Sequence, residues 1–291
     1  MRFGLFAINY GTCADPDAAV AVARHAEAVG FESVWSGEHF VLPDPRPRGF
    51  SMPPTLPLLD PLVALTLVAS ETRTLKLGTG ILILPLRNPV VLAKAVASLD
   101  IVSRGRLLVG VGAGYIRQEF AALGVALEER GPRMDEFIRV LRALWSAAPP
   151  RFDGRFVTLA DVDAHPRPWQ APHPPLIVGG EAPPALTRAV TQADGWYGFS
   201  LDLADTAECV ARLRRIAAQR ERPAELGELE LSVTPSGKLD GEAVERYAEL
   251  GVTRLILLPE PEVELGDRHL PVPLPRILDN LDAVAERLIH V

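Results

Sequence analysis

Residues 75–115 read LKLGTGILILPLRNPVVLAKAVASLDIVSRGRLLVGVGAGY, and this stretch decides the fold of the chain. Two apolar strand-like segments flank one apolar helical segment, and each strand-like segment carries glycines at or near its carboxyl end. Glycine lets the backbone lie against a flat or anionic ligand where any Cβ atom would collide. In parallel α/β proteins, ligands sit at the carboxyl ends of the strands. The stretch therefore predicts a β/α unit and also the edge of the sheet that carries the chemistry.

The same alternation of strand and helix runs along the whole chain. Apolar strands are predicted at 2–9, 32–36, 75–84, 106–111, 175–178, 195–199, 230–234 and 253–258. Helices are predicted at 17–29, 60–71, 88–103, 128–147, 183–192, 204–220, 241–250 and 274–289. The strands are rich in Val, Ile and Leu rather than alternating, which is typical of strands that are covered on both faces. Eight such units predict a single-domain (β/α)8 TIM barrel over residues 1–291.

An open doubly wound sheet is the alternative architecture. Such a sheet normally carries a G-x-G-x-x-G fingerprint after its first strand, whereas residues 7–11 read AINYG. Residues 110–114, GVGAG, also fail the fingerprint, because Tyr115 occupies the position of its third glycine. The barrel therefore remains the favoured prediction.

The predicted barrel has insertions after its second and fourth strands. Residues 42–61 form a proline-rich segment that is long for a βα loop, and loops of such length are usually functional lids or disordered. Its apolar residues Phe50, Met52 and Leu56 favour an ordered lid packed over a pocket. In the second insertion, Asp153-Gly154 predicts a hairpin turn.

Composition limits the classes of function. The chain has 291 residues, of which 48% are hydrophobic, and its formal net charge of −7 argues against a broad nucleic-acid-binding surface. Cys13 and Cys209 have neither metal-ligand nor disulfide-framework spacing and are interpreted as reduced thiols. The N-terminal MRFGLFAINYG is too short an apolar run for a signal peptide, and no segment approaches the ~20 apolar residues of a membrane span. We therefore expect a cytoplasmic protein that binds neither membranes nor nucleic acid.

Glu38-His39 follows the second predicted strand, at the edge where barrel active sites lie. A histidine there can donate or accept a proton near neutral pH, which makes His39 a candidate acid–base residue. The alternative is a histidine that only forms a hydrogen bond in the core. No H-x-H or H-E-x-x-H spacing predicts a metal site.

Residues 178–184, VGGEAPP, join the fifth predicted strand to the following helix. Exposed N–H groups at a helix N-terminus bind anions, so this segment predicts a cradle for a cofactor phosphate. The alternative is a tight turn without a ligand. The carboxylate of Glu181 would repel a phosphate unless it points away.

Taken in order, these segments resemble the luciferase-like monooxygenase family, in the branch that uses the deazaflavin coenzyme F420. The matching segments are Glu38-His39, 77–81 (LGTGI), 87–89 (RNP), 103–106 (SRGR), 110–114 (GVGAG), 166–170 (PRPWQ), 179–180 (GG) and 193–196 (ADGW). The resemblance covers about residues 1–199, and the last third of the chain matches in architecture alone. It implies a TIM barrel, F420 as the cofactor with FMN as the alternative, and a homodimer.

The resemblance also implies where the cofactor lies. It places a non-proline cis peptide at Gly80-Ile81, behind the deazaflavin ring, and it places His39 near the reactive carbon of the ring. The cofactor-binding residues that we expect are Phe6, His39, Thr79, Gly80, Ile81, Gly112, Ala113, Gly114 and, for the phosphate, Gly179, Gly180, Glu181 and Ala182.

The chain departs from the family pattern at Tyr115. In sugar-phosphate dehydrogenases of this branch a glutamate at this position serves as an acid, whereas tyrosine, with an ordinary pKa of ~10, is a weaker acid at neutral pH. The sequence also lacks a basic cluster for a phosphate-bearing substrate. These two departures argue against sugar-phosphate dehydrogenation.

We therefore predict an F420-dependent oxidoreductase that moves a hydride between the deazaflavin and a small, largely apolar organic molecule. His39 is the first candidate for its proton partner and Tyr115 the second. The alternatives are an FMN-dependent luciferase-like monooxygenase and a flavin- or deazaflavin-binding protein without catalysis. A cofactor-free hydrolase would need carboxylates that converge at the strand ends, where Glu38 and Asp60 lack a clear partner.

Overall fold

The computed structural model describes residues 1–146, 148–237, 239–259 and 272–290. Its strands are β1 (Arg2–Leu5), β2 (Ser33–Ser36), β3 (Lys76–Thr79), β4 (Leu82–Ile83), β5 (Leu107–Gly112), β6 (Phe152–Asp153), β7 (Thr158–Leu159), β8 (Leu176–Gly179), β9 (Gly195–Leu201), β10 (Glu230–Pro235) and β11 (Arg254–Leu257). Its α-helices are α1 (Pro16–Ala28), α2 (Pro61–Glu71), α3 (Pro89–Val102), α4 (Arg117–Ala122), α5 (Arg130–Trp145), α6 (Pro183–Gln192), α7 (Leu203–Gln219), α8 (Gly241–Glu249) and α9 (Leu274–Val284). No described helix is long and apolar enough to span a membrane.

Parallel pairing closes the strands into a barrel. Neighbouring strands follow the order β3-β2-β1-β11-β10-β9-β8-β5, and pairing between β3 and β5 completes the ring. β4 continues the third position of the barrel and also pairs with β5. The helices alternate with these strands along the chain, and the two insertions lie between β2 and α2 and between β5 and β8. The predicted (β/α)8 TIM barrel is therefore confirmed.

The third strand of the barrel is interrupted. The sequence predicted one strand over 75–84, whereas the structure has two short strands, β3 and β4. The Gly80-Ile81 peptide is cis, as the family resemblance implied, and it separates β3 from β4. The Thr79 hydroxyl donates to the Gly110 carbonyl at 2.7 Å and ties the residue before the break to β5. The backbone thus leaves regular strand geometry at the carboxyl edge, where barrel ligands sit.

The polar residues that predict the starts of α2 and α3 in the sequence cap these helices in the structure. The Asp60 carboxylate accepts from the Leu62 N–H at 2.8 Å, and the Asn88 side chain accepts from the Val90 N–H at 3.0 Å. A proline occupies the first position of each helix, where its missing N–H costs nothing. The starts of α2 and α3 are therefore fixed by local chemistry.

The region after β5 differs from its prediction. The sequence predicted one helix over 128–147, whereas α5 begins at Arg130 and the six-residue helix α4 precedes it. Ile116 stands at the N-cap of α4 and cannot provide a side-chain cap. A helix this short, without a start signal, carries too little periodicity for recognition from sequence.

A small cluster fills the barrel interior and is separate from the large core between strands and helices. Its buried members are Phe6, Ala7, Trp35, Leu108, Ile177, Tyr197, Ile256 and Leu258. Tyr10 and Ile81 pack on this cluster and remain partly exposed. Because the interior is packed, a ligand has to bind above it, at the carboxyl ends of the strands.

Asn9 joins the two ends of the insertion after β2. Its Nδ2 donates to the carbonyls of Gly37 at 2.8 Å and Leu59 at 2.7 Å, and its Oδ1 accepts from the Gly37 N–H at 3.0 Å. The Leu59 N–H donates back to the Asn9 carbonyl at 2.9 Å. The base of this loop is therefore closed by one buried side chain.

Candidate active site

Aromatic side chains line the mouth of the barrel. The ring centroid of Phe6, which follows β1, lies 5.3 Å from that of Phe199 and 6.0 Å from that of Tyr10. Ala7, which follows Phe6, and Ser200, which follows Phe199, have positive φ angles of 70° and 59°. Such backbone conformations are costly outside glycine and cluster at functional sites. The mouth therefore combines aromatic side chains, of which Phe6 is buried and Phe199 is exposed, with a constrained backbone.

The structure brings together the two predicted catalytic residues. His39 follows β2 and Tyr115 follows β5, and their ring centroids lie 6.1 Å apart with the ring planes perpendicular. The His39 side chain is 12% exposed, whereas Tyr115 is 64% exposed. A small polar site thus opens at the mouth, with a histidine at its wall and a phenol at its rim.

Glu119 is a third residue of this site, and the sequence analysis missed it. It lies on α4, is fully buried, and its Oε2 is 3.0 Å from His39 Nδ1. Its Oε1 accepts a hydrogen bond from the Phe40 N–H at 2.6 Å. Glu119 lies in the first turn of α4, four positions after Tyr115, which precedes the N-cap of that helix, so no pattern in the sequence links the two residues.

The phenol of Tyr115 remains protonated at neutral pH. Desolvation by neighbouring protein atoms raises its pKa, and the negative charge of Glu119 raises it further. Tyr115 is therefore a neutral hydrogen-bond donor at the rim.

Glu38 does not orient His39, although it precedes it in the sequence. Its Oε2 accepts from the Ile83 N–H at 2.6 Å and its Oε1 accepts from Arg87 Nε at 2.8 Å. Arg87 also donates to Asp60 at 2.6 Å. Glu38 therefore anchors the segment after the cis peptide. Both carboxylates that a hydrolase would need are engaged by one guanidinium group.

Ile81 occupies the space beside two glycines of the predicted cofactor wall. A Cβ atom at Gly112 would lie 2.6 Å from Ile81 Cδ1, and one at Gly179 would lie 2.8 Å from Ile81 Cγ2. A Cβ atom at Gly114 would lie 2.5 Å from Ile83. The structure thus gives these glycines a packing role behind the segment after the cis peptide, and their contact with a cofactor stays a prediction.

Thr79 and Ala113 lie in the same wall. Thr79 is buried and its hydroxyl is engaged by β5, so the structure gives its side chain a role inside the barrel wall. Ala113 is partly exposed beside Tyr115. Their contacts with a cofactor also stay predictions.

The predicted phosphate loop turns sharply after β8. Gly180 has a φ of +115°, which favours glycine, and its N–H donates to the Tyr197 carbonyl at 3.0 Å. The Glu181 carboxylate accepts from the Phe199 N–H at 3.4 Å and is thus directed towards β9. The carboxylate that would repel a phosphate is therefore engaged elsewhere.

The N-terminus of α6 offers few donors to an anion. Pro183 and Pro184 have no N–H group, and the Ala185 N–H donates to the Ala182 carbonyl at 2.8 Å. Within the described chain, the N–H groups of Glu181 and Ala182 have no acceptor. These two groups and the helix dipole are what the predicted cradle offers to an anion, and phosphate binding there stays a prediction.

This arrangement is typical of barrel enzymes, in which the loops after the strands carry the chemistry. The chain belongs to the luciferase-like monooxygenase family, whose sequence profile matches residues 1–258. The family resemblance is therefore confirmed. Among the described residues, no group of three His, Cys, Asp or Glu side chains is placed to hold a metal ion.

The relatives of the chain include oxidoreductases. The F420-dependent hydroxymycolic acid dehydrogenase of Mycobacterium tuberculosis is 29% identical over 279 residues, which cover 94% of this chain and 74% of that protein. A monooxygenase from Streptomyces bottropensis has a TM-score of 0.76 at 22% identity and covers 99% of both chains. The coenzyme F420-dependent tetrahydromethanopterin reductase of Methanopyrus kandleri has a TM-score of 0.74 at 17% identity and covers 99% of this chain and 98% of its own. The two solved structures show a shared fold.

Proposed function

We propose that the chain is a cytoplasmic F420-dependent oxidoreductase that transfers a hydride between the deazaflavin and a small organic molecule. The observation that carries the proposal is the position of His39. Its ring is held by Glu119 through Nδ1, next to Glu38, which anchors the segment after the cis peptide. A proton-exchanging group therefore stands beside the wall that would back the ring.

The residues of the mouth fit such a cofactor. Gly80 and Ile81 would back the ring, and Phe6 would flank it from β1. The N–H groups of Glu181 and Ala182 would hold the phosphate. When bound, the deazaflavin would supply the hydride chemistry, while the chain orients the reactants and exchanges the proton through His39.

The phosphate cradle favours F420 over FMN. The phosphate of F420 is a diester with one negative charge, whereas the terminal phosphate of FMN is a monoester with a charge of about −1.5 to −2 at pH 7. Two N–H groups, with no further donor from the two prolines at the helix start, suit the smaller charge. A dianion would call for more donors or for an arginine.

The exposed apolar residues around the site support a largely apolar substrate. Tyr115 and Phe199 remain exposed at the mouth, and Phe40, whose N–H donates to Glu119, is exposed beside them. Specificity would reside in the loop 42–61 and in the loops after the last two barrel strands. Residues 260–271 of the final loop lie outside the described residues.

Titration of the apo-protein with F420 and with FMN, followed by protein fluorescence, tests the choice of cofactor. We expect saturable binding of F420 and weak or no binding of FMN. Tight FMN binding without F420 binding would overturn the proposal in favour of a monooxygenase. His39→Ala should still bind F420, although more weakly because His39 is an expected cofactor contact, but it should lose hydride transfer. The transfer is measured as the change in F420 absorbance with a panel of small alcohols and enones. Binding without turnover of any candidate by the wild type would favour a non-catalytic binding protein.

We also propose that the chain forms a homodimer through the outer faces of α2 and α3. These adjacent helices expose Val63, Val91 and Val102, while charged side chains are sparse on both. A solvent-facing helix surface normally carries charged residues, so this apolar face favours a protein contact. Sedimentation velocity should show a dimer for the wild type and for the control Ala211→Glu on α7. It should show a monomer for Val63→Glu/Val91→Glu, and a wild-type monomer would overturn the proposal.

A further inference from the structure

The ring of His39 is held on one side and open on the other. Glu119 Oε2 lies 3.0 Å from Nδ1, and Glu119 Oε1 is taken by the Phe40 N–H at 2.6 Å. Nε2 has no hydrogen-bond partner among the described residues, yet it is not enclosed as a buried unpaired atom. Nε2 therefore reaches solvent at the mouth.

The chemistry of these groups restricts the histidine to one tautomer. An ionised carboxylate accepts hydrogen bonds and donates none. The backbone N–H of Phe40 is a permanent donor and occupies one carboxylate oxygen, so the other oxygen requires a donor at Nδ1. A neutral imidazole carries a single N–H, and a proton on Nδ1 leaves the lone pair on Nε2.

We propose that Glu119 is a positioning residue that fixes His39 with its proton on Nδ1 and its lone pair on Nε2, facing the substrate. The proposal rests on the proposed function, in which His39 is the proton partner. In the oxidation direction Nε2 would accept the proton of the substrate O–H or N–H group, while the deazaflavin, when bound, would accept the hydride from the adjacent carbon. In the reverse reaction Nε2 returns that proton.

Two substitutions separate control of the tautomer from packing. Glu119→Gln keeps the size of the side chain, but only one of its two terminal atoms, the amide oxygen, can accept a hydrogen bond. The Phe40 N–H requires the amide oxygen, so the amide NH2 faces Nδ1 and favours the tautomer with the proton on Nε2. Glu119→Asp leaves an acceptor-only group and shortens the side chain by one methylene. A purely structural role predicts that Asp is the more harmful change, whereas the proposal predicts that Gln is.

Long-range 1H–15N correlation NMR of histidine-labelled apo-protein at about pH 9 reads the tautomer directly. The signals of His39 are identified by their loss in His39→Ala. We expect a proton on Nδ1 in the wild type, in Glu119→Asp and in the exposed-carboxylate control Glu128→Gln. We expect a proton on Nε2 in Glu119→Gln. A proton on Nε2 in the wild type, or no change in Glu119→Gln, would overturn the proposal.

Single-turnover hydride transfer gives a second readout. Relative to Glu128→Gln, the rate should fall about 100-fold or more in Glu119→Gln, while the F420 dissociation constant stays within about twofold. An unchanged rate in Glu119→Gln contradicts the positioning role. If the wild type transfers no hydride to or from F420, the proposed function fails, whereas the NMR result on the apo-protein still decides the tautomer.

Discussion

Gly110 and Gly112 of β5 lie against different kinds of atoms: Gly110 faces a backbone carbonyl and Gly112 faces a side chain. A Cβ atom at Gly110 would lie 1.9 Å from the Thr79 carbonyl oxygen, whereas one at Gly112 would lie 2.6 Å from the Cδ1 end of Ile81. A side-chain end can turn away, but a backbone carbonyl between paired strands cannot. We therefore expect Gly110→Ala to lower the free energy of unfolding by ~3 kcal/mol or more, and Gly112→Ala by less than ~1 kcal/mol.

The same pair of glycines tests the cofactor wall. Gly112→Ala should push Ile81 into the mouth and weaken F420 binding, because Ile81 lies where the ring would rest. Urea denaturation and F420 titration of both variants check this, with Gly241→Ala as the control, since a Cβ atom there meets open space. Unchanged F420 affinity in Gly112→Ala would place the ring elsewhere.

His39 and Tyr115 could be predicted from the sequence because each directly follows a strand that carries its own signal. The carboxyl ends of parallel strands meet at one edge, so proximity in the fold followed from the topology alone. Glu119 could not be predicted in the same way. It contacts His39 across eighty positions of sequence, from a helix with no cap and less than two turns.

At the level of elements, one carboxylate of α5 holds the β6–β7 hairpin. Glu136 Oε1 accepts from the N–H groups of Phe156 and Val157, each at 2.8 Å, and Oε2 accepts from the Arg155 N–H at 2.8 Å. A Cβ atom at Gly154 would lie 2.5 Å from Glu136 Oε1 and would press on the carboxylate that holds the hairpin. The structure has a hairpin where Asp153-Gly154 predicted one, but Asp153 is the last residue of β6 and the loop spans residues 154–157. The anchor of the hairpin lies in another element, which local turn chemistry does not reveal.

Glu136→Gln should loosen this hairpin without opening the barrel. A carboxamide has one acceptor where three N–H donors converge, so donors are left unpaired, at a cost of about 1–3 kcal/mol each. Hydrogen exchange should become faster at residues 155–157 and stay unchanged in β5 and β8. Asp153→Asn, an exposed carboxylate on the same hairpin, serves as the control. Equal acceleration throughout the barrel would show that Glu136 supports the whole fold rather than one hairpin.

At the level of the whole molecule, closure of the barrel assembles a charged cluster from distant units. Arg254 at the start of β11 is almost fully buried, and it donates to Glu32 at 2.9 and 2.8 Å and also to Glu230. Arg2 donates to Glu230 at 2.7 Å. The barrel could be predicted because every strand is apolar in its own right. This cluster could not, because its members become neighbours only when the last strand meets the first.

The charged cluster makes the stability of the barrel depend on pH. Burial raises the pKa of Glu32, but the hydrogen bonds and charge of Arg254 outweigh burial, and the pKa lies below its ordinary value. A carboxyl group with a lowered pKa in the folded state stabilises the protein above its ordinary pKa of ~4.3, and this contribution is lost as the pH falls below that value. The free energy of unfolding should therefore decrease between about pH 5 and pH 3.

Glu32→Gln tests the origin of this dependence. At pH 7 it leaves the buried guanidinium of Arg254 short of a charged partner, which should lower the free energy of unfolding by about 3 kcal/mol or more. Because the substituted residue has no proton to bind, the decrease between about pH 5 and pH 3 should become shallower than in the wild type. Urea denaturation across this range measures both effects, with the exposed Glu249→Gln as the control that changes the net charge equally. Parallel pH curves for Glu32→Gln and the wild type would mean that the acid sensitivity arises at other carboxylates. Glu27 is one such group, because three backbone N–H groups and the Thr74 hydroxyl outweigh desolvation and lower its pKa to about 2.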